Sequence, residues 1–153
     1  MAEKICTFAG HRDVFGSGNL GSRVYLELKR LVRNEGVTCF LSGGMGGFDA
    51  LCEGRVRELK REFPQIRLQW VIPYITKDFR QNESYFRAQY DDILYPLPGV
   101  YYKNAIWRRN CWMVDQADFL LAYICRPQSG AFQTLRYARR QDISIINLGT
   151  RDR

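Results

Sequence analysis

Histidine is nearly absent from this chain of 153 residues, and its cysteines lack metal-binding spacing. His11 is the single histidine, and the five cysteines form no C-x-x-C pair. A zinc site of Cys and His would therefore need ligands from widely separated segments. The cysteine number is odd, and several cysteines lie inside apolar runs, which is typical of reduced thiols in the cytoplasm. We expect no bound metal and no cofactor.

Long hydrophobic runs are also missing. The longest, such as residues 119–124, are far shorter than the roughly 18 residues that a membrane span needs. Residues 1–4 lack the pattern of a signal peptide. With 46% hydrophobic and 25% charged residues, the composition is globular, and the length fits one domain over residues 1–153. We expect a cytoplasmic protein without a membrane partner.

Acidic residues are fewer than basic ones. The chain has 16 Asp and Glu against 23 Lys and Arg, a formal net charge of +7, and only five of the basic residues are lysines. Guanidinium groups suit planar, bidentate contacts with phosphate or carboxylate. Arginines between residues 55 and 61 alternate with glutamates, however, which is typical of a solvated helix surface. The charge allows an anionic partner without requiring one.

Short apolar segments alternate with longer amphipathic ones. The pattern predicts strands at 5–9, 37–41, 66–72, 118–124 and 143–148, and helices at 20–34, 47–62, 81–94, 104–117 and 130–140. Apolar strands separated by helices are typical of a parallel sheet covered on both faces. We therefore predict a single Rossmann-like α/β domain with a mostly parallel sheet of about five strands. The aromatic-rich segment 75–103 is predicted to be a partly irregular flap, either core or a homodimer interface.

Candidate ligand-binding residues fall at the carboxyl ends of the predicted strands, where open parallel sheets bind ligands. The first strand is followed by Gly10, His11 and Arg12, and Arg12 would either clamp an anion or lie in an ordinary turn. The second strand is followed by a glycine-rich loop, whose candidates are Ser42, Gly43, Gly44, Met45, Gly46, Gly47 and Asp49. We expect the bare amides of this loop to hold a phosphate, although a structural turn has the same composition.

The glycine-rich loop matches neither G-x-x-x-x-G-K-[ST] nor G-x-G-x-x-G. Asp49 lies in the first turn of the following helix, where a carboxylate interacts favourably with the helix dipole. Because a carboxylate repels phosphate, we expect Asp49 to bind a ribose hydroxyl or a base.

Two later helices supply the remaining candidates. Arg109 and Asn110 lie early in the helix at 104–117, and neighbouring Arg108 diverges from Arg109 by about 100° and cannot face the same way. The helix at 130–140 begins with Ser129 as a predicted N-cap, and its candidates are Ser129, Gly130 and Thr134. Surface arginines and a simple capped helix are the alternatives.

These clusters, in this order, resemble the SLOG superfamily, named for Smf/DprA and the LOG proteins, and specifically its small YpsA-like branch. The residues that carry the resemblance are 8–12, 42–49, 71–73, 109–110, 113–115, 118, 130, 134 and 137–138. The match spans nearly the whole chain. It implies a Rossmann-like fold and a nucleotide-related ligand, and it implies no particular activity.

Two groups within this superfamily carry motifs that can be compared with this chain. LOG-type phosphoribohydrolases carry Gly-Gly-x-Gly-Thr-x-x-Glu, in which Thr134 matches the Thr but Tyr137 stands at the position of the catalytic Glu. DprA-like proteins bind single-stranded DNA and carry Ser-Gly-x-x-x-Gly-x-Asp. The residues here that resemble that motif are Ser42, Gly43, Gly47 and Asp49.

We predict a binding module for a nucleotide-derived small molecule, a nucleoside phosphate or an ADP-ribose-like ligand, with a sensing or signalling role rather than an enzyme. An aromatic residue such as Tyr102 or Trp107 would stack on the base. The alternative is an enzyme that cleaves an N-glycosidic bond, with Asp49 and Glu53 as catalytic carboxylates four residues apart on one helix face. The third hypothesis is binding of single-stranded nucleic acid, which the net charge and the interleaved aromatic residues favour.

Overall fold

The computed structural model describes residues 3–14 and 17–149. The elements in this part of the chain are β1 (Lys4–Gly10), α1 (Leu20–Glu35), β2 (Val37–Ser42), α2 (Gly47–Leu59), β3 (Arg67–Val71), α3 (Lys77–Gln81), α4 (Glu83–Gln89), β4 (Asp92–Leu94), α5 (Tyr102–Gln116), β5 (Phe119–Tyr123), α6 (Gly130–Arg140) and β6 (Ser144–Asn147). The ends of the domain predicted over 1–153 lie outside the described residues. Within them, no helix is both long enough and apolar enough to cross a membrane.

All six strands form one parallel sheet in the order β4-β3-β2-β1-β5-β6. The predicted Rossmann-like α/β class is confirmed, with one strand more than the five expected. From β1 the chain builds towards β4 on one side, and it then crosses to β5 and β6 on the other. The strand order therefore reverses between β1 and β5, and such a reversal leaves a crevice at the carboxyl ends of the strands.

The strands are apolar along their length because their side chains alternate between two helix layers. In β1, Cys6 and Phe8 pack into a core with residues of α1 and α2, whereas Ala9 belongs to a second core with residues of α5 and α6. In β5, Leu121 lies in the first core and Leu120 in the second. The predicted helices on both faces of the sheet are thus present.

The helix predicted at 81–94 is wrong in its second half. α4 ends at Gln89, and β4 follows as an edge strand paired with β3. The cause is tertiary, because the Asp91 carboxylate accepts hydrogen bonds from the Leu68 amide at 2.7 Å and from Lys60 at 2.5 Å. These contacts hold the backbone extended where local propensity favours a helix.

Part of the predicted aromatic flap is packed against the sheet edge. The Trp70 ring lies 5.2 Å from the rings of Phe86 and Tyr90, and 5.9 Å from that of Phe79. Tyr85 and Tyr102 of the same segment are exposed. The homodimer interface expected here stays a prediction.

Substitution of Gly46 should reveal how closely the loop after β2 packs. Gly46 has φ of +90°, and a Cβ there would lie 2.8 Å from the Cα of Arg12. We expect Gly46→Ala to lower the free energy of unfolding by about 1–3 kcal/mol, measured by urea denaturation. Gly54→Ala is the matched control, because a Cβ at that exposed position of α2 meets nothing within 4 Å. It should stabilise the protein by about 0.5–1 kcal/mol, and equal effects of the two changes would contradict the packing described here.

Candidate functional site

A cavity of about 320 Å³ lies at the carboxyl ends of the strands, between the segments that follow β1 and β5. Ten of the sequence-predicted residues line it: Gly10, His11, Arg12, Met45, Asp49, Arg109, Asn110, Ser129, Gly130 and Thr134. Six do not: Ser42, Gly43, Gly44, Gly46, Gly47 and Glu53. The structure thus brings together the candidates after β1, in α5 and at the start of α6, but only part of the glycine-rich loop.

Three amides of the glycine-rich loop donate hydrogen bonds within the protein. Gly44 N–H donates to Ser42 Oγ at 3.1 Å, Met45 N–H donates to Asp49 Oδ2 at 3.0 Å, and Gly47 N–H donates to Arg12 O at 2.7 Å. A Cβ at Gly47 would lie 2.6 Å from that Arg12 oxygen, so glycine is needed for close packing. A phosphate on these amides, as the sequence predicts, would have to displace bonds that the loop already makes.

Free amides lie instead at the start of α6. Ser129 caps this helix, as predicted, because its Oγ accepts from Phe132 N–H at 3.0 Å. The N–H groups of Gly130 and Ala131, two residues that line the cavity, have no acceptor within the described ranges. The first N–H groups of a helix carry its positive dipole end and favour an anion. The start of α6, which the sequence predicts as a second anion site, therefore has N–H groups that are free to bind an anion.

Arg109 is a buried cation beside the cavity. Its side chain is 2% exposed, and its Nη1 donates to Val71 O at 2.8 Å and to Gly43 O at 3.1 Å. No carboxylate of the described residues lies within 4.0 Å of its guanidinium. Burial lowers the pKa of Arg109 to about 10, although the charge of Asp49 opposes the shift. Its Nε donates to Asn110 Oδ1 at 2.9 Å and its Nη2 to Met45 Sδ at 3.3 Å. Its donors thus have acceptors, but the positive charge has no bonded carboxylate among the described residues.

Asp49 is a buried carboxyl group on the same cavity, 8% exposed. Burial raises its pKa to about 7, against the opposing effects of the Met45 N–H bond and the Arg109 charge. Burial thus favours the protonated, neutral form of this group up to a much higher pH than in an exposed aspartate. A neutral carboxyl can donate as well as accept a hydrogen bond, and it repels a nearby anion less than a carboxylate does.

His11 offers a buried donor without a partner. Its side chain is 3% exposed, and Nε2 accepts from Cys125 N–H at 2.9 Å. Because Nε2 is an acceptor, the proton of the neutral ring is on Nδ1. Nδ1 has no hydrogen-bond partner among the described residues. Burial, and next the charge of Arg126, lower the pKa of His11 and keep the ring neutral.

Glu53 belongs to a separate network. Its Oε2 accepts from Ser42 Oγ at 2.6 Å, and its Oε1 accepts from Tyr90 Oη at 2.7 Å and from Arg57 Nη2 at 3.4 Å. The predicted convergence of Asp49 and Glu53 on one ligand is therefore not seen, because only Asp49 lines the cavity. Ser42 and Glu53 hold the end of β2 against α2.

Six residues of the cavity were not among the sequence-predicted candidates: Phe8, Ala9, Ile106, Met113, Arg126 and Ala131. Arg126 is exposed and lies between β5 and α6, so the rule that led to Arg12 also identifies it. Ile106 and Met113 share the spacing of one helix face with Arg109 and Asn110. Arg108 is exposed whereas Arg109 is buried, as helical geometry predicts.

No three His, Cys, Asp or Glu side chains in residues 3–14 and 17–149 are grouped so that they could hold a metal ion.

No protein-family model matches this chain, and no curated protein has a significantly similar sequence. Three solved structures are similar at 15% identity. DNA processing protein A from Helicobacter pylori has a TM-score of 0.67, with 97% of this chain and 66% of that chain covered. DprA from Streptococcus pneumoniae has a TM-score of 0.62, with 95% and 50% covered. The Moco carrier protein of Chlamydomonas rheinhardtii has a TM-score of 0.56, with 99% and 79% covered.

These likenesses show a shared Rossmann-like fold. This chain spans about half to two thirds of the length of the two DprA chains.

The pH dependence of stability tests the state of Asp49. Because its folded pKa of about 7 exceeds the ordinary value of 3.8, the folded state binds more protons than the unfolded state between these values. The free energy of unfolding should therefore fall as pH rises from about 4 to 7, by up to about 4 kcal/mol from this group. Asp49→Asn should remove this slope in urea denaturation at pH 4.5 to 7.5.

Asp142→Asn, at an exposed position, is the control for loss of one carboxylate. Parallel pH profiles for the unsubstituted protein and Asp49→Asn would contradict the raised pKa.

Proposed function

We propose that this protein binds a small nucleotide-derived ligand whose phosphate lies at the start of α6. The proposal rests on one observation: residues with unsatisfied hydrogen-bond donors and a residue with a buried positive charge line the same cavity. Gly130 and Ala131, whose N–H groups lack acceptors, His11, whose Nδ1 lacks a partner among the described residues, and the buried cation Arg109 all line it. An oxyanion accepts several hydrogen bonds and supplies the missing negative charge. The exposed side chains of Arg12 and Arg126 would add charge at the rim.

The ribose would meet Asp49 in this proposal. A carboxyl group with a pKa near 7 can accept a bond from a hydroxyl as a carboxylate or donate one when protonated. The fold shared with DprA and the Moco carrier protein supports membership in the SLOG superfamily, and the order of the clusters favours its YpsA-like branch. A nucleoside phosphate and an ADP-ribose-like molecule both fit this description, in a sensing or signalling role.

Thermal unfolding with a panel of phosphate compounds tests the proposal. A ligand at 100 times its Kd should add about 2.7 kcal/mol and raise the Tm by about 5 to 10 °C. Arg126→Gln should weaken binding by about tenfold, because it removes one charge-assisted contact at the rim. Arg80→Gln is the matched control, because Arg80 is equally exposed and lies outside the cavity.

No Tm shift with nucleoside phosphates, ADP-ribose or phosphate itself would overturn the proposal. An oligonucleotide that bound with a steep loss of affinity in salt would favour nucleic-acid binding instead, the activity of the Helicobacter pylori protein. An equal loss in Arg126→Gln and Arg80→Gln would place the ligand elsewhere.

The second candidate is hydrolysis of an N-glycosidic bond, which the position and pKa of Asp49 favour. A carboxyl group that titrates near pH 7 can exchange protons with water or stabilise an oxocarbenium-like centre. In that case free base should form from a nucleoside monophosphate, and Asp49→Asn should abolish its release while binding persists. Glu53→Gln should retain this activity, because Glu53 lies outside the cavity. Absence of free base after prolonged incubation with bound nucleotide would exclude this candidate.

A further inference from the structure

A second, mostly apolar cavity of about 330 Å³ adjoins the first. Three of its five lining residues, Ile106, Asn110 and Gly130, also line the first cavity, so the two cavities are neighbours along α5 and the start of α6. The other two are Trp107 on α5 and Gln133 on α6. We call this second cavity the Trp107 pocket.

Trp107 presents an aromatic surface that the protein leaves partly uncovered. It is 40% exposed, although a tryptophan side chain is on average largely buried. Within the described ranges its ring contact is an edge-type one with Tyr137, at 6.0 Å and 83° between the ring planes. No ring of those residues stacks face to face on it, so the indole is open to a planar partner.

Two side-chain amides line the Trp107 pocket beside the indole. Asn110 Oδ1 accepts from Arg109 Nε at 2.9 Å, and this bond directs the Nδ2 donor of Asn110 away from Arg109. Neither that Nδ2 nor the side-chain amide of Gln133 has a hydrogen-bond partner in the part of the chain that the structure describes. The pocket is lined by no charged side chain. Its chemistry therefore suits a flat, uncharged, hydrogen-bonding ring and not a second phosphate.

We propose that the Trp107 pocket binds the nucleobase of the ligand, so that a nucleoside 5′-monophosphate lies across Gly130. The phosphate then occupies the start of α6 and the base stacks on Trp107. This inference rests on the proposed function and deepens it, because it assigns the base of the ligand to a defined subsite beside the phosphate site. Base–aromatic stacking is tolerant of sequence, so discrimination between bases is left to the Asn110 and Gln133 amides.

Calorimetric titration measures how much the base contributes to affinity, separately from the phosphate. The probes are AMP, GMP, CMP and UMP, with ribose 5-phosphate as the probe that lacks a base. At least one nucleotide should bind roughly tenfold or more tightly than ribose 5-phosphate, the gain expected from one stacked base. Trp107→Leu should reduce nucleotide affinity to about that of ribose 5-phosphate and leave ribose 5-phosphate binding unchanged. Trp107→Tyr keeps an aromatic ring and should retain most of the nucleotide affinity.

Tyr102→Leu is the matched control, because Tyr102 is an exposed aromatic residue on the same helix that lines neither cavity. It should leave all affinities unchanged. The base subsite is overturned if nucleotides bind no more tightly than ribose 5-phosphate, or if Trp107→Leu weakens both equally. If none of the five probes binds, the base subsite is overturned, and the proposed function is then decided by the thermal-unfolding panel, which includes ADP-ribose. If Trp107→Leu unfolds, Trp107→Tyr and the comparison of nucleotides with ribose 5-phosphate decide the question.

Discussion

The buried guanidinium of Arg109 is the interaction on which this end of the molecule depends. It connects α5 to the carbonyl oxygens of Val71 at the end of β3 and Gly43 after β2. These bonds fix three elements around the cavity, but they supply no negative charge. Removing a cation from water without a bonded counter-ion is costly. An anionic ligand at the cavity would offset that cost, which links the stability of this region to binding.

The two sides of the cavity differ in how many of their hydrogen-bond donors already have acceptors within the protein. On one side, Ser42 and Glu53 bind each other beneath the glycine-rich loop, and the loop amides bind Arg12 and Asp49. The amides of Gly44, Met45 and Gly47 on that side already have acceptors within the protein. On the other side, the start of α6 and the buried His11 ring keep donors without acceptors among the described residues. Binding is therefore expected at the start of α6, with Asp49 and Met45 on the opposite side of the cavity.

Sequence periodicity was sufficient for the fold class and for most of the element boundaries. α6 occupies the predicted residues 130–140, because its start is marked by the Ser129 cap and its apolar spacing is regular. β4 was not predicted, because its extended backbone depends on contacts of Asp91 with Lys60 and Leu68, which lie more than twenty residues away. Local propensity does not carry such information.

The location of the candidate site could be predicted from the sequence. Which of its groups remain free to bind a ligand could not. Strand ends in a parallel sheet meet at one edge, so ten predicted residues line one cavity. Which amides remain free depends on partners brought in by folding: Arg12 O accepts from Gly47, and Asp49 accepts from Met45. The same holds for Glu53, whose spacing suggested a pair with Asp49 but whose oxygens bind Ser42 and Tyr90.

Chemical-shift mapping by NMR during titration with AMP tests the central claim most directly, because it observes each donor separately. The account predicts that the amide signals of Gly130 and Ala131 and the imidazole signals of His11 shift together with one Kd, while those of Gly44 and Gly47 change little. Shifts centred on Gly44 and Gly47, with Gly130 and Ala131 unaffected, would contradict it.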